Sequence, residues 1–105
     1  MLPTAVRVTV DEPLSVTCVI PEKLSDDYDS SRLVFDFQQG QDVESMDDRL
    51  ISRVNSSAAV LNYPRVPFDW DKAYIGCSVR NSSVYGYRRV RVYCKCLLRF
   101  LLLSC

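Results

Sequence analysis

Histidine is absent from the 105 residues, and glycine occurs only three times. Without histidine, the chain lacks the commonest general base and the commonest transition-metal ligand of proteins. None of the three glycines belongs to a loop that could cradle a phosphate group. No serine, cysteine or carboxylate pair has a base at a meaningful spacing. We therefore expect a protein that is not an enzyme and that uses neither a cofactor nor a small-molecule substrate.

An excess of charge is also missing, since 13 Lys and Arg residues balance 13 Asp and Glu residues. A balanced chain gives no global attraction to nucleic acid or to an acidic membrane. Apolar residues make up 48% of the sequence and charged residues 25%, which is typical of a folded chain. The length suits one domain.

Two segments alternate apolar and polar residues with a period of two, the signature of half-buried strands. Ile75, Cys77 and Val79 form the inward row of one segment, and the row from Leu14 to Ile20 contains Cys18. A disulfide between Cys18 and Cys77 would pin two facing sheets, whereas two buried free thiols are the alternative in a reduced protein.

Further strands are predicted wherever the same period recurs between turn residues. We read them at residues 5–10, 14–20, 33–38, 49–54, 57–63, 69–79 and 85–93, with residues 39–48 as a polar turn. Seven or eight short strands without a helical period indicate an all-β sandwich. The predicted domain covers residues 1–93, and residues 94–105 form a tail.

Four stretches, LSVTCVIPEKL, RVNSSAAV, YIGCSV and SSVYGYRRVRV, carry a family resemblance. They resemble the N-terminal immunoglobulin domains of class I cytokine receptors of the interleukin-6 type. This group includes the shared signal-transducing subunit and the granulocyte colony-stimulating factor and leptin receptors. The resemblance covers about residues 5–93 and implies an immunoglobulin-like β-sandwich with one inter-sheet disulfide.

The resemblance also implies a function, that of a non-enzymatic extracellular module helping to bind a four-helix cytokine together with other receptor chains. The family's fibronectin-type modules and WSxWS signature are missing, so we expect a fragment or a truncated form of a receptor. The alternative is a cell-adhesion or co-stimulatory immunoglobulin domain that binds another immunoglobulin domain. One departure is the third strand, where Phe35 or Phe37 must replace the usual tryptophan.

Five cysteines and two N-glycosylation motifs, at Asn55 and Asn81, favour an oxidising compartment. We expect a secreted protein or the ectodomain of a single-pass plasma-membrane receptor, although the opening MLPTAVRV shows no signal peptide.

The last predicted strand suggests a protein-binding face, because tyrosine and arginine are enriched at interfaces. The alternative is a strand face built from residues of high β propensity. The candidate face consists of Tyr74, Arg80, Tyr85, Tyr87, Arg89, Arg91 and Tyr93.

The tail contains Cys94, Cys96 and Cys105 around the apolar run LLRFLLL. This run is too short to span a bilayer. It could begin a membrane anchor, carry a lipid, or be a truncated or read-through end. For the three cysteines, intermolecular disulfides or plain thiols suit the spacing better than zinc, which normally takes four ligands.

Overall fold

Eight strands build two facing sheets in the computed structural model, which describes residues 1–94. The strands are β1 (Val6–Thr9), β2 (Leu14–Val19), β3 (Leu33–Gln39), β4 (Asp42–Ser45), β5 (Ile51–Asn55), β6 (Ala58–Tyr63), β7 (Tyr74–Val79) and β8 (Tyr85–Tyr93). One sheet has the order β1-β8-β7-β3-β4, and the other has the order β2-β6-β5. The predicted all-β sandwich is confirmed.

The core lies between the inward rows of these strands, as the period of two requires. Val16 and Cys18 of β2 face Ile75 and Cys77 of β7, and all four are at most 1% exposed. Burying an aliphatic side chain such as Val16 or Ile75 contributes about 1.5–3 kcal/mol. The Cys18–Cys77 disulfide joins the sheets across this core, with 6.6 Å between the two Cα atoms.

A tryptophan does pack in the sandwich, but it comes from a different element than in the expected pattern. Phe35 is fully buried and lies opposite Cys77 in the pairing of β3 with β7. Trp70 belongs to a 3-10 turn before β7, and its ring centroid lies 4.6 Å from that of Phe37 and 4.3 Å from that of Tyr63. The aromatic volume is therefore shared among three elements.

The reading of residues 39–48 as a turn was wrong, because β4 forms a hairpin with β3. Gln39 pairs with Asp42, and the two-residue connection has Gly40 at a φ of +62°. Glycine at this first position is typical of hairpin turns whose twist matches the strands. All four β4 side chains are exposed, so no apolar alternation marks the strand in the sequence.

Two other strands begin a few residues later than predicted. The predicted strand 49–54 begins only at Ile51, after a 3-10 turn in which Asp47 caps the backbone N–H of Arg49. The predicted strand 69–79 begins at Tyr74. Asp71, six residues before Cys77, instead accepts a hydrogen bond of 2.8 Å from the backbone N–H of Val92 and so fixes the end of β8.

Residues 1–3 cross from one sheet to the other before β1 begins. The backbone N–H of Val19 donates to the carbonyl of Met1 at 2.9 Å, and Arg88 Nε donates to the carbonyl of Pro3 at 2.8 Å. Leu2 enters the core between these two contacts. β1 then runs parallel to β8.

Within residues 1–94, no helix is long and apolar enough to span a membrane. Cys94 ends the described part of the chain, so the predictions on Cys96, Cys105 and the rest of the tail fall outside it.

Candidate protein-binding face

The solvent side of the five-stranded sheet, here called the outer face, collects most of the predicted binding residues. Pairing of β7 with β8 places Tyr74 opposite Arg89, and Tyr87 opposite Gly76. Since paired residues point to the same side, these side chains form adjacent rows. Along β8 the outward row is Tyr85, Tyr87, Arg89, Arg91 and Tyr93, and all five side chains are exposed.

Large apolar groups are left open to solvent on this face. Tyr87 is 54% exposed and Tyr93 45%, and Val43 of β4 is 61% exposed. Val43 lies opposite Gln38, which in turn lies opposite Tyr74, so β4 extends the same surface. Val43 and Gln38 were not among the predicted site residues, because β4 itself was not recognised.

The tyrosines on the outer face contact one another. The Tyr74 and Tyr87 rings meet edge to face with centroids 5.5 Å apart, and the Tyr85 and Tyr87 centroids are 5.8 Å apart. Aromatic pairs at such distances contribute about 0.5–1.5 kcal/mol beyond their buried area. The cluster therefore presents a surface whose shape is set before any partner arrives.

The Tyr85 side chain packs directly over Gly76, which has no side chain of its own. A Cβ atom at this position would lie 2.5 Å from Oδ1 of Asp36 and 2.9 Å from Cε1 of Tyr85. Gln38 Nε2 donates to the Tyr85 hydroxyl at 2.5 Å, and that hydroxyl lies 3.5 Å from Oδ1 of Asp36. A side chain at Gly76 would displace this group.

The pKa values of Asp36 and Tyr85, which both lie beside Gly76, are raised. Burial raises the pKa of Asp36, although hydrogen bonds from Gln38 and Tyr85 act in the opposite direction. Burial, and next the negative charge of Asp36, raise the pKa of Tyr85. The tyrosine hydroxyl thus stays protonated at neutral pH and can donate to the carboxylate.

Three arginines lie at the β1 side of the outer face. Arg91 is paired in register with Arg7 of β1, and Arg89 is two residues away on the same row. The guanidinium carbon of Arg91 lies 5.9 Å from the centroid of the Tyr93 ring. Arg7 was missed because its neighbours are set by parallel pairing with β8, which leaves no local signal in the sequence.

Arg80 stands apart from the other predicted residues. It lies in the turn after β7, where its backbone N–H donates to the carbonyl of Arg32 at 2.7 Å. The structure therefore places Arg80 at the end of the sandwich, beyond the paired rows of the outer face.

The two predicted glycosylation asparagines are exposed at that same end. Oδ1 of Asn55 accepts hydrogen bonds from the backbone N–H and the hydroxyl of Ser57 at 2.9 and 3.1 Å. Asn81 adopts a φ of 68°, and its carbonyl accepts a hydrogen bond from the Tyr28 hydroxyl. Neither asparagine side chain lies on the outer face.

A shallow groove of about 570 Å³ lies elsewhere, around the connection between β6 and Trp70. It is lined by Asp47, Arg49, Leu50, Tyr63, Pro64 and Arg65. Arg49 and Asp47 form an ion pair of 2.8 Å there, which lowers the pKa of the Asp47 carboxyl through hydrogen bonds from Arg49. Their charges are already matched within the groove.

The acidic segment before β3 serves a local structural role. Asp29 accepts hydrogen bonds from the backbone N–H and hydroxyl of Ser31, which lower its pKa and cap a 3-10 turn. In the part of the chain that the structure covers, no group of His, Cys, Asp or Glu is placed to hold a metal ion.

Comparison with known proteins identifies the fold. No family model matches the sequence, and neither does any curated protein. Among solved structures, the chain is similar to one from the crystal structure of a mutant complex of titin M10 and obscurin-like 1 Ig. The TM-score is 0.58 at 18% identity, over 90% of each chain. The protein is therefore an immunoglobulin-like β-sandwich.

Proposed function

We propose that the chain is an extracellular, non-enzymatic recognition module that binds a protein ligand through the outer face. The exposure of Tyr85, Tyr87 and Tyr93 on one face, continuous with Val43, carries this proposal. Tyrosine offers a large rigid contact area and a hydrogen-bonding hydroxyl, and it is enriched among the residues that dominate binding energy. The inward-facing side chains of the same strands already fill the core. The tyrosine rings on the outer face are therefore exposed to solvent and free to contact a partner.

The ligand we propose is a helical cytokine, as the resemblance to receptors of the interleukin-6 type implies. The nine residues of β8 extend over roughly 30 Å at about 3.3 Å per residue. A helix of about 20 residues has the same length. The stripe along β8 therefore suits one long helix laid across the sheet, and such a chain would act as part of a cytokine receptor.

A second candidate is pairing with another immunoglobulin domain, and Gly76 is the observation that favours it. This residue lies in the middle of the outer face, between Asp36 and Tyr87 in the strand pairing, and the Tyr85 side chain packs over it. The Tyr85 ring therefore lies close to the sheet, and a second sheet could pack against it. The structural neighbour also comes from a complex that contains an immunoglobulin domain.

The extracellular location is supported by two independent features. The Cys18–Cys77 disulfide is of a kind that persists mainly in oxidising compartments. Both N-glycosylation motifs are exposed at one end of the sandwich, where glycans would leave the outer face open.

Binding of the full chain to immobilised partners tests the proposal. The probes are a panel of purified interleukin-6-type four-helix cytokines and a panel of immunoglobulin ectodomains. Y87A should weaken any specific binding at least tenfold, as expected for a central aromatic contact. V54A is the matched control, since Val54 is 59% exposed but lies on β5 of the other sheet.

The two panels separate the two candidates. Binding to a cytokine that is lost in Y87A and kept in V54A supports the receptor function, while the same pattern with an ectodomain supports immunoglobulin pairing. Binding that V54A weakens as much as Y87A would overturn the assignment of the outer face. Binding to neither panel would overturn both candidate ligands.

A further inference from the structure

The arginines on the β1 side of the outer face lie close enough together to repel one another. Arg7 and Arg91 are direct neighbours across parallel strands, and Arg89 lies about 7 Å further along β8. Like charges in opposite positions on neighbouring strands destabilise a sheet. We call these three residues the arginine edge.

Within residues 1–94, no ion pair joins the arginine edge to a carboxylate, and Asp71, which reaches β8, accepts a hydrogen bond from the backbone N–H of Val92. The two ion pairs found in this range join Arg49 to Asp47 and Arg53 to Asp48, away from β1 and β8. Asp36 is the acidic residue on the paired rows of the outer face, but it lies on β3, with β7 between it and β8. Its partners are Gln38 and Tyr85.

Arg88 lies next to the edge in sequence but faces the other way. Its guanidinium donates to the carbonyls of Pro3 and Tyr87 at 2.8 and 2.7 Å, so it fastens the first residues of the chain to β8. By contrast, the exposed guanidinium groups of the arginine edge form no ion pair with the acidic residues of the described part of the chain and are open to an external anion.

We propose that the arginine edge is a binding site for a sulfated polysaccharide. A guanidinium group offers planar paired donors that suit tetrahedral oxyanions, as in its bidentate recognition of phosphate. Arg89 and Arg91 repeat along the strand at a spacing that a linear polymer can follow, with Arg7 beside them. The Tyr93 ring, half-exposed next to Arg91, offers an apolar surface to a sugar ring.

A sulfated polysaccharide fits these observations better than other polyanions do. The extracellular location proposed above favours a sulfated polysaccharide over nucleic acid. The repeat of Arg89 and Arg91 every second residue along one strand suits a linear polymer with regularly spaced charges better than the irregular surface of an acidic protein. The site shares only the extracellular location with the proposed function and does not depend on the protein ligand.

The test is binding of the full chain to a heparin dodecasaccharide, measured by calorimetry at several salt concentrations. We expect binding at 150 mM NaCl that weakens steeply with salt, because bound polyanions release counterions. The double variant R89Q/R91Q should weaken binding roughly five- to thirtyfold, in line with two exposed ion contacts. R49Q/R65Q removes the same charge at the groove and should have little effect.

Three outcomes would overturn the proposal. One is absence of binding at 150 mM NaCl by a folded wild-type chain. Another is an equal loss in R49Q/R65Q, which would mean that only net charge matters. The third is equal or tighter binding of a glutamate-rich peptide or a single-stranded DNA of matched charge. Because the experiment uses no cytokine and no immunoglobulin domain, none of these outcomes bears on cytokine or immunoglobulin binding.

Discussion

Removal of the inter-sheet disulfide should cost this domain a large part of its stability. Cys18 and Cys77 are 59 positions apart, and both side chains are fully buried. In the chain-entropy model, closing a loop of that length lowers the entropy of the unfolded chain by an amount equivalent to about 4 kcal/mol at 25 °C. Whole domains are stable by only about 5–15 kcal/mol.

The perturbation is the double variant C18A/C77V, which removes the cross-link while keeping apolar side chains in the core. We expect the free energy of unfolding to fall by about 4 kcal/mol and the melting midpoint to fall by roughly 16–32 °C. The assay is equilibrium unfolding in urea, followed by circular dichroism.

The slope of the urea transition provides a second, independent readout. An unfolded chain without the cross-link exposes more surface, so the slope for the variant should be steeper than for the oxidised protein. V16A is the control, because it removes buried apolar volume from the same strand while leaving the cross-link and the slope unchanged. A loss below about 1.5 kcal/mol with an unchanged slope would refute the reasoning.

Three further predictions concern single side chains. W70A should lower the free energy of unfolding by about 3–5 kcal/mol, measured by circular dichroism, and W70F by clearly less, since a ring still packs against Phe37; equal losses would contradict this role. D36N should raise the melting midpoint at pH 7, because a raised pKa means that the charged form of Asp36 destabilises the fold. The advantage should vanish as the pH falls below the ordinary value of 3.8, and a pH-independent difference would argue against this cause. R7T should raise stability by about 0.2–1 kcal/mol at low salt by relieving repulsion from Arg91, and 1 M NaCl should abolish the gain; a loss at every salt concentration would exclude repulsion.

The sequence was most informative where strands have one buried face. β8 was predicted with its observed ends, Tyr85 and Tyr93, because Val90 and Val92 alternate with exposed residues. The bridge between Cys18 and Cys77 followed from two such inward rows. A strand with one buried face has alternating apolar and polar residues, and this period of two can be recognised in the sequence.

Features without such a buried face could not be predicted. β4 carries four exposed side chains, and Trp70 lies in a short 3-10 turn, so neither shows a period. The contact of Arg7 with Arg91 depends on strand order, which local sequence does not encode. Outer-face residues such as Val43, Gln38 and Arg7 could therefore be recognised only from the strand order of the folded sheet.

The β4 hairpin has a consequence for how a partner can attach. A strand at the margin of a sheet has unpaired backbone groups that invite another chain to add itself, which is a common route to aggregation. β4 is only four residues long, and it carries Asp42 and Glu44. Such a short, doubly negative margin repels further strands, so the β4 side of the sheet is protected against recruiting copies of the domain by β-sheet extension. Partners are thereby directed onto the broad side of the sheet, where side chains and not backbone amides decide what binds.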